Sequence, residues 1–239
     1  MLNFEKPIYK ITEYVEKNNF GKFELEPLER GFGTTIGNAL RRVMLSSMPG
    51  SAIVAVKIEG AMHEFQTIEG VVEDVTSIIL NLKNVVVKNH AEEQKVIRLS
   101  VSEERVVTAA DIETDSDVEI VNKDQVIATL AKGGKLDMEM IVDNGRGYVP
   151  STENKKYTEN NKIGYIPIDA LYSPIERINY EVDNARVGQD ANYDKLIMNV
   201  QTNGAIRPEE AMALSAKILI EHLNIITNLS EIADVTGIM

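Results

Sequence analysis

Three glycines at the entry to an apparent helix are the residues of this chain whose spacing first suggests chemistry. In LERGFGTTIGNALRRVMLSSMPG, residues 28–50, Gly31, Gly33 and Gly37 read G-x-G-x-x-x-G between a strand pattern and a helical one. Glycines placed this way let backbone N–H groups approach a phosphate at a helix N-terminus, where the aligned peptide dipoles favour an anion. Glu59, at the end of the next apolar run, stands where an acid that binds a ribose hydroxyl belongs. Two features oppose a dinucleotide site. The preceding KFELEPLE (22–29) alternates apolar with charged residues where a central parallel strand is continuously apolar, and no further β-α-β units follow. The other reading is structural: the glycines make a tight strand-to-helix turn and let the helix pack closely.

The same helix, read as about residues 34–48, carries a second kind of chemistry. At about 100° per residue, Ile36, Ala39, Leu40, Val43, Met44 and Ser47 form one stripe suited to a core. Asn38, Arg42 and Leu45 fall together on the opposite side, with Arg41 beside them. Arginine next to an apolar anchor is a common composition of interface hot spots; a solvated helix face is the alternative.

Other candidates for catalysis or metal binding are weaker. His63, His90 and His222 are far apart and lack ligand spacing, and His222 lies within an apolar arc, the position of a packing residue. DIETDSDVE (111–119) resembles a calcium loop in its acid content, but Ser116 stands where the sixth-position glycine is required and Asn122 where the closing glutamate is required. No serine occupies a nucleophile elbow and no Walker loop occurs. No acid, base and nucleophile assemble, and no cofactor is expected.

Composition sets the class. The chain has 239 residues, 44% hydrophobic and 26% charged, enough for one large or two small cores. With no cysteine there is no disulfide framework and no thiolate chemistry, which permits a reducing cytoplasm. No apolar run reaches 18 residues, so no membrane span is expected. The formal net charge of −12 argues against a DNA-gripping surface, since phosphate neutralisation needs a basic footprint.

The elements that must position these residues follow from periodicity. Strand patterns occupy the chain up to residue 30, 51–60, 175–184 and 193–202; 69–84 has Val72, Val75, Ile79 and Leu82 at helical spacing; and 85–142 is short apolar runs broken by turns. The polar stretch 143–163 reads as an exposed, mobile loop. A last helix opens at Pro208, and its apolar residues, from Ala211 to Leu229, cover roughly 200° of arc, about twice what one packing surface needs. Such a helix packs on its own sheet and on a second subunit, or else is buried in a larger single-chain core. The fold class is α+β: a discontinuous domain from about 1–50 and 174–230, an inserted β-rich domain at 51–173, and a flexible tail at 231–239.

LEPLERGFGTTIGNALRRVMLSSMPG (25–50), HEFQTIEGVVEDVTSIILNLK (63–83), VTAADI (107–112), DSDVEIVN (115–122), GRGYVP (145–150) and YSPIERINYEV (172–182) together resemble the amino-terminal domain of the bacterial RNA polymerase α subunit family. The resemblance spans nearly the whole chain in ordered blocks. It implies a non-catalytic assembly platform of the cytoplasmic, nucleoid-associated polymerase, whose active site lies on other subunits. Its first and last helices would form a homodimer, here through Ile36, Leu40, Val43, Leu214, Ile218, Leu219, Leu223, Ile225 and Ile226. The β subunit would dock on Asn38, Arg41, Arg42 and Leu45, and the β′ subunit on Lys83, Arg186 and Val187. Family members continue into a small DNA-binding domain, whereas this sequence ends at Met239. That domain, and direct DNA contact, are therefore expected to be absent.

Overall fold

The computed structural model describes residues 6–155 and 164–227. In chain order the elements are β1 (Ile8–Val15), β2 (Phe20–Glu29), α1 (Phe32–Ser46), β3 (Pro49–Ile58), α2 (Val75–Lys83), β4 (Val87–Asn89), β5 (Lys95–Val101), β6 (Val106–Thr108), β7 (Ile112–Glu113), β8 (Val118–Ile120), β9 (Val126–Thr129), β10 (Leu136–Arg146), β11 (Tyr148–Val149), α3 (Ser151–Asn154), β12 (Ile166–Pro167), β13 (Ala170–Leu171), β14 (Ile175–Val187), β15 (Asp190–Thr202) and α4 (Pro208–Thr227). The fold is α+β. The chain divides into two compact units, Met1–Met48 with Ile175–Met239, and Pro49–Pro174.

The first unit is a four-stranded sheet in the order β1-β2-β15-β14, carrying α1 and α4. Alternation along β15 sends Leu196, Met198 and Val200 to one face, where they meet Phe23 and Leu28 of β2 and Ile178 of β14. Leu40 and Met44 of α1 close this core at 5% and 0% exposure. Two positions set how near α1 comes. A Cβ on Gly33 would stand 2.8 Å from Val182 Cγ1, and one on Gly37 would stand 2.6 Å from Tyr180 Cδ2. Any side chain there would lift the helix off β14 and β15, so the glycines are packing residues.

The second unit is built on a five-stranded sheet, β12-β3-β10-β5-β7, with two-stranded ladders β4-β8, β6-β9 and β11-β13. Its larger core joins Val56 and Ile58 of β3, Ile97 and Leu99 of β5, and Met138 and Met140 of β10 to Ile78 and Leu82 of α2. Ala52, Val54, Ile141, Ala170 and Tyr172 form a smaller cluster.

Three sequence expectations change. Helix α2 begins at Val75, not at residue 69, because the Asp74 carboxylate caps the Ser77 N–H at 2.8 Å and Val72 N–H is bonded to Thr129 instead; Val72 is 69% exposed. The stretch 143–163 is not a loop throughout: β10 runs to Arg146, pairing Asp143–Arg146 with Ala52–Pro49 of β3, and α3 buries Asn154 completely. Backbone pairing with a long neighbouring strand outweighs polar composition there. Residues 156–163 lie outside the described residues, as does the expected tail at 231–239. Helix α1 runs two residues earlier than read, since Met48 has left the helix and Pro49 and Gly50 open β3.

Gly37→Ala would gain about 1 kcal/mol of helix propensity but force a methyl group against the Tyr180 ring. A net loss of about 1–2 kcal/mol is expected, read as a lower urea midpoint at unchanged slope.

Candidate docking surfaces and the helix that carries them

The glycine turn that resembled a phosphate cradle already holds an anion of the protein's own. Gly31, at φ 89°, ends β2's turn and opens α1, whose first turn has no acidic residue and no side-chain cap from its own segment. The carboxylate of Asp194 takes that place: its Oδ2 accepts the Gly31 N–H at 2.8 Å and the Gly33 N–H at 3.1 Å. Asp194 shares the two-residue phase of Leu196, Met198 and Val200, which directs it to the helix-bearing face of the sheet. Its neighbour Lys195 points the other way and pairs with Glu24 at 2.6 Å, which holds the Glu24 carboxyl below its ordinary range. Glu59, the other member of the dinucleotide pattern, belongs to the second unit and lies 3.7 Å from Lys135 Nζ. The amides a pyrophosphate would need are thus committed to Asp194.

Sequence reasoning missed Asp194. The available signal was an acid in the apolar phase of YDKLIMNVQT, residues 193–202.

On the far side of α1, Asn38, Arg41, Arg42 and Leu45 are all exposed, Leu45 at 43%. The structure brings these four onto one face. Arg186 is exposed and Val187 half-buried at the end of the β14–β15 hairpin, still in the first unit. Lys83 is in the second unit, as the last residue of α2, and it is engaged: its Nζ lies 2.7 Å from Asp169 Oδ2, while Asp169 Oδ1 accepts the Ser151 N–H at 2.8 Å. Those two hydrogen bonds, the lysine's first, lower the Asp169 pKa to about 2.

The residues grouped as a dimer surface separate by burial. Leu40 is spent on the chain's own core, because it points at the sheet from the α1 turn next to Gly37. Ile36, Val43, Leu214, Ile218 and Leu219 are half-buried. Leu223, Ile225 and Ile226 are 55%, 69% and 60% exposed, and with Ile220 at 57% they leave the distal part of α4 apolar and uncovered among the described residues. His222, read as a packing residue, is exposed there; its Nδ1 lies 2.8 Å from the Ile218 carbonyl oxygen. The width of the arc predicted packing on the chain's own sheet and on a second subunit, or burial in a larger single-chain core; among the described residues, full burial on α4 is confined to Pro208, Ala211 and Ser215 near its start.

The acidic stretch 111–119 is absorbed by local structure. Asp111 forms a two-point ion pair with Arg105, 2.8 Å at each contact, and closes a capping box with Thr108. Asp115 accepts the Asp117 and Val118 N–H groups and, with Asp117, pairs with Lys95. Among the described residues no three His, Asp or Glu side chains gather as a metal site, and no helix is long and apolar enough to cross a membrane.

Lowering pH should reveal the Lys83–Asp169 pair. A carboxyl whose folded pKa lies below its unfolded value adds stability that is complete above about pH 4 and is lost as the pH falls towards 2. Partial exposure reduces the contribution to about 1 kcal/mol. Lys83→Ala should remove that share of the slope in acid unfolding curves, measured by circular dichroism, and leave the neutral-pH fold intact.

Comparison with known proteins agrees with this architecture. The RNA polymerase Rpb3/RpoA insert domain family matches residues 56–173, within the second unit. The DNA-directed RNA polymerase subunit alpha of Oceanobacillus iheyensis is 54% identical over 239 residues, all of this chain and 76% of that protein. Those of Symbiobacterium thermophilum and Desulforamulus reducens are 54% and 55% identical over the whole chain, which covers 75% of each. On an α+β fold with this insert and these identities over the whole of the chain, the chain belongs to the family of bacterial DNA-directed RNA polymerase α subunits and serves transcription as a polymerase subunit.

Proposed function

We propose that the chain is the non-catalytic assembly platform of the polymerase core. Two copies associate through α1 and the distal part of α4, and the resulting dimer presents the exposed face of α1 to the β subunit. Arg186 and Val187, with Lys83 of the second unit, take part in holding β′. The catalytic residues belong to the large subunits, and the two units of this chain correspond to a dimerisation domain and its inserted β-rich domain.

The observation that carries the reading is the division of α1 into two committed faces. One is held against the sheet at glycine distance, and the other offers Arg41, Arg42, Asn38 and Leu45 to solvent. Arginine fits such a role because its planar guanidinium donates in a fixed fork and stacks on aromatic surfaces. The uncovered apolar end of α4 supports the homodimer. Burying one Leu or Ile side chain fully contributes about 1.5–3 kcal/mol, so Ile220, Leu223, Ile225 and Ile226 supply a large share of the association energy.

Arg42→Ala should sediment as the wild-type dimer while losing capture of purified β by at least about tenfold, the loss typical of a hot-spot arginine. Leu223→Asp with Ile226→Asp should do the reverse at the first step, giving a monomer at micromolar concentration in equilibrium sedimentation. A double variant that remained dimeric would remove the distal part of α4 from the interface.

A further inference from the structure

We propose that Asp194 is a positioning residue for the docking face of α1: it supplies from β15 the N-terminal cap that α1 lacks, and so holds Asn38, Arg41, Arg42 and Leu45 in the orientation a large subunit engages. This inference rests on the assembly reading above and adds to it the device that presents the patch.

The argument begins with what α1 does not have. Its N-cap is Gly31, which has no side chain, and its first turn, Phe32, Gly33, Thr34 and Thr35, contains no acid. The Thr35 hydroxyl, a side chain of that turn, bonds the wrong way for capping, donating from Oγ1 back to the Gly31 carbonyl at 3.1 Å. An uncapped terminus exposes unsatisfied N–H groups and frays. Asp194 satisfies two of them from 163 and 161 residues away, so the cap exists only when β15 is in place.

The same carboxylate also fixes position. A Cβ on Gly33 would lie 3.0 Å from Asp194 Oδ2 and 2.8 Å from Val182. One turn on, Gly37 sits against Tyr180 and Leu196. The helix is therefore held at two points on one side, by hydrogen bonds at its first turn and by close packing at its second. Two points fix both the tilt and the rotation of α1. Asn38 follows Gly37 directly and Arg41, Arg42 and Leu45 lie on the next two turns, so rotation about the helix axis would re-aim all four together. A patch carried on a helix already fixed in rotation loses less freedom on binding than one on a loose helix.

The test uses the full chain and purified β. Asp194→Ala and Asp194→Asn are compared with wild type and with Arg42→Ala for β capture by the dimer fraction isolated by gel filtration, and hydrogen exchange is followed at the Gly31 and Gly33 amides. Asp194→Ala should lose protection at both amides and weaken capture about tenfold, the effect of one lost helix cap. Asp194→Asn, which keeps an acceptor oxygen of the same size, should recover part of both. Wild-type capture by Asp194→Ala overturns the proposal, and so does unchanged protection at the two amides. If the alanine variant does not fold, Asp194→Asn decides alone: reduced protection with wild-type capture overturns the proposal, and a parallel fall in both supports it. The Arg42→Ala arm separates the two levels of inference. Loss of capture there with none in the Asp194 variants sinks the positioning role only, whereas wild-type capture by Arg42→Ala sinks the docking reading and this proposal with it.

Discussion

The contact between α1 and the β14–β15 hairpin is the constraint on which the first unit depends. Without side chains at Gly33 and Gly37, the helix lies within 2.6–2.8 Å, measured from a would-be Cβ, of Tyr180, Val182 and Leu196. Close approach brings Leu40 and Met44 deep into the core, where dense packing resists even small displacement. The Asp194 carboxylate adds a directional element to contacts that are otherwise non-directional. One helix face is thereby immobilised, and the opposite one is left as a platform.

That division of labour is the physical basis of the assembly role proposed for this chain. A scaffold must show the same face to its partner in every copy, and a helix fixed against a sheet does so at small entropic cost. The second helix works differently. In α4 the buried residues are confined to Pro208, Ala211 and Ser215, near its start. Met212, Leu214, Ile218 and Leu219 are partly buried against the core, whereas Ile220, Leu223, Ile225 and Ile226 are exposed, the kind of apolar stripe on which the proposed homodimer rests.

In the second unit the acidic excess of the chain is put to structural use. Asp74 caps α2, Asp111 closes a capping box, Asp115 organises a turn, and Asp169 ties Lys83 to the first turn of α3. The partners raise Arg105 and Lys95 above their ordinary pKa range and lower Asp111 and Asp115 below it. Carboxylates satisfied in this way are fixed as anions at neutral pH, and they hold short strands and turns that bury too few apolar groups to order themselves.

How much of this was legible in the sequence depends on the range of the interaction. Local periodicity determined the strand character of β2 and β15, the stripes of α1, the start of α4 at Pro208 and the outward set of Asn38, Arg42 and Leu45, because each is read from neighbours within two turns or a few strand residues. The ordered family blocks determined the family. What the tertiary structure decided lies at long range. The G-x-G-x-x-x-G turn is ambiguous in one dimension, since an anion site and a packing turn require the same absence of side chains; only the arrival of Asp194 from 163 residues away distinguishes them. The start of α2 and the extension of β10 through Arg146 were likewise decided by partners elsewhere in the chain, Thr129 and the Pro49–Ala52 segment. The breadth of the apolar arc on α4 was visible in the sequence, but where its burial stops was not, because that depends on how far α1, β2 and β15, distant in sequence, reach along the helix.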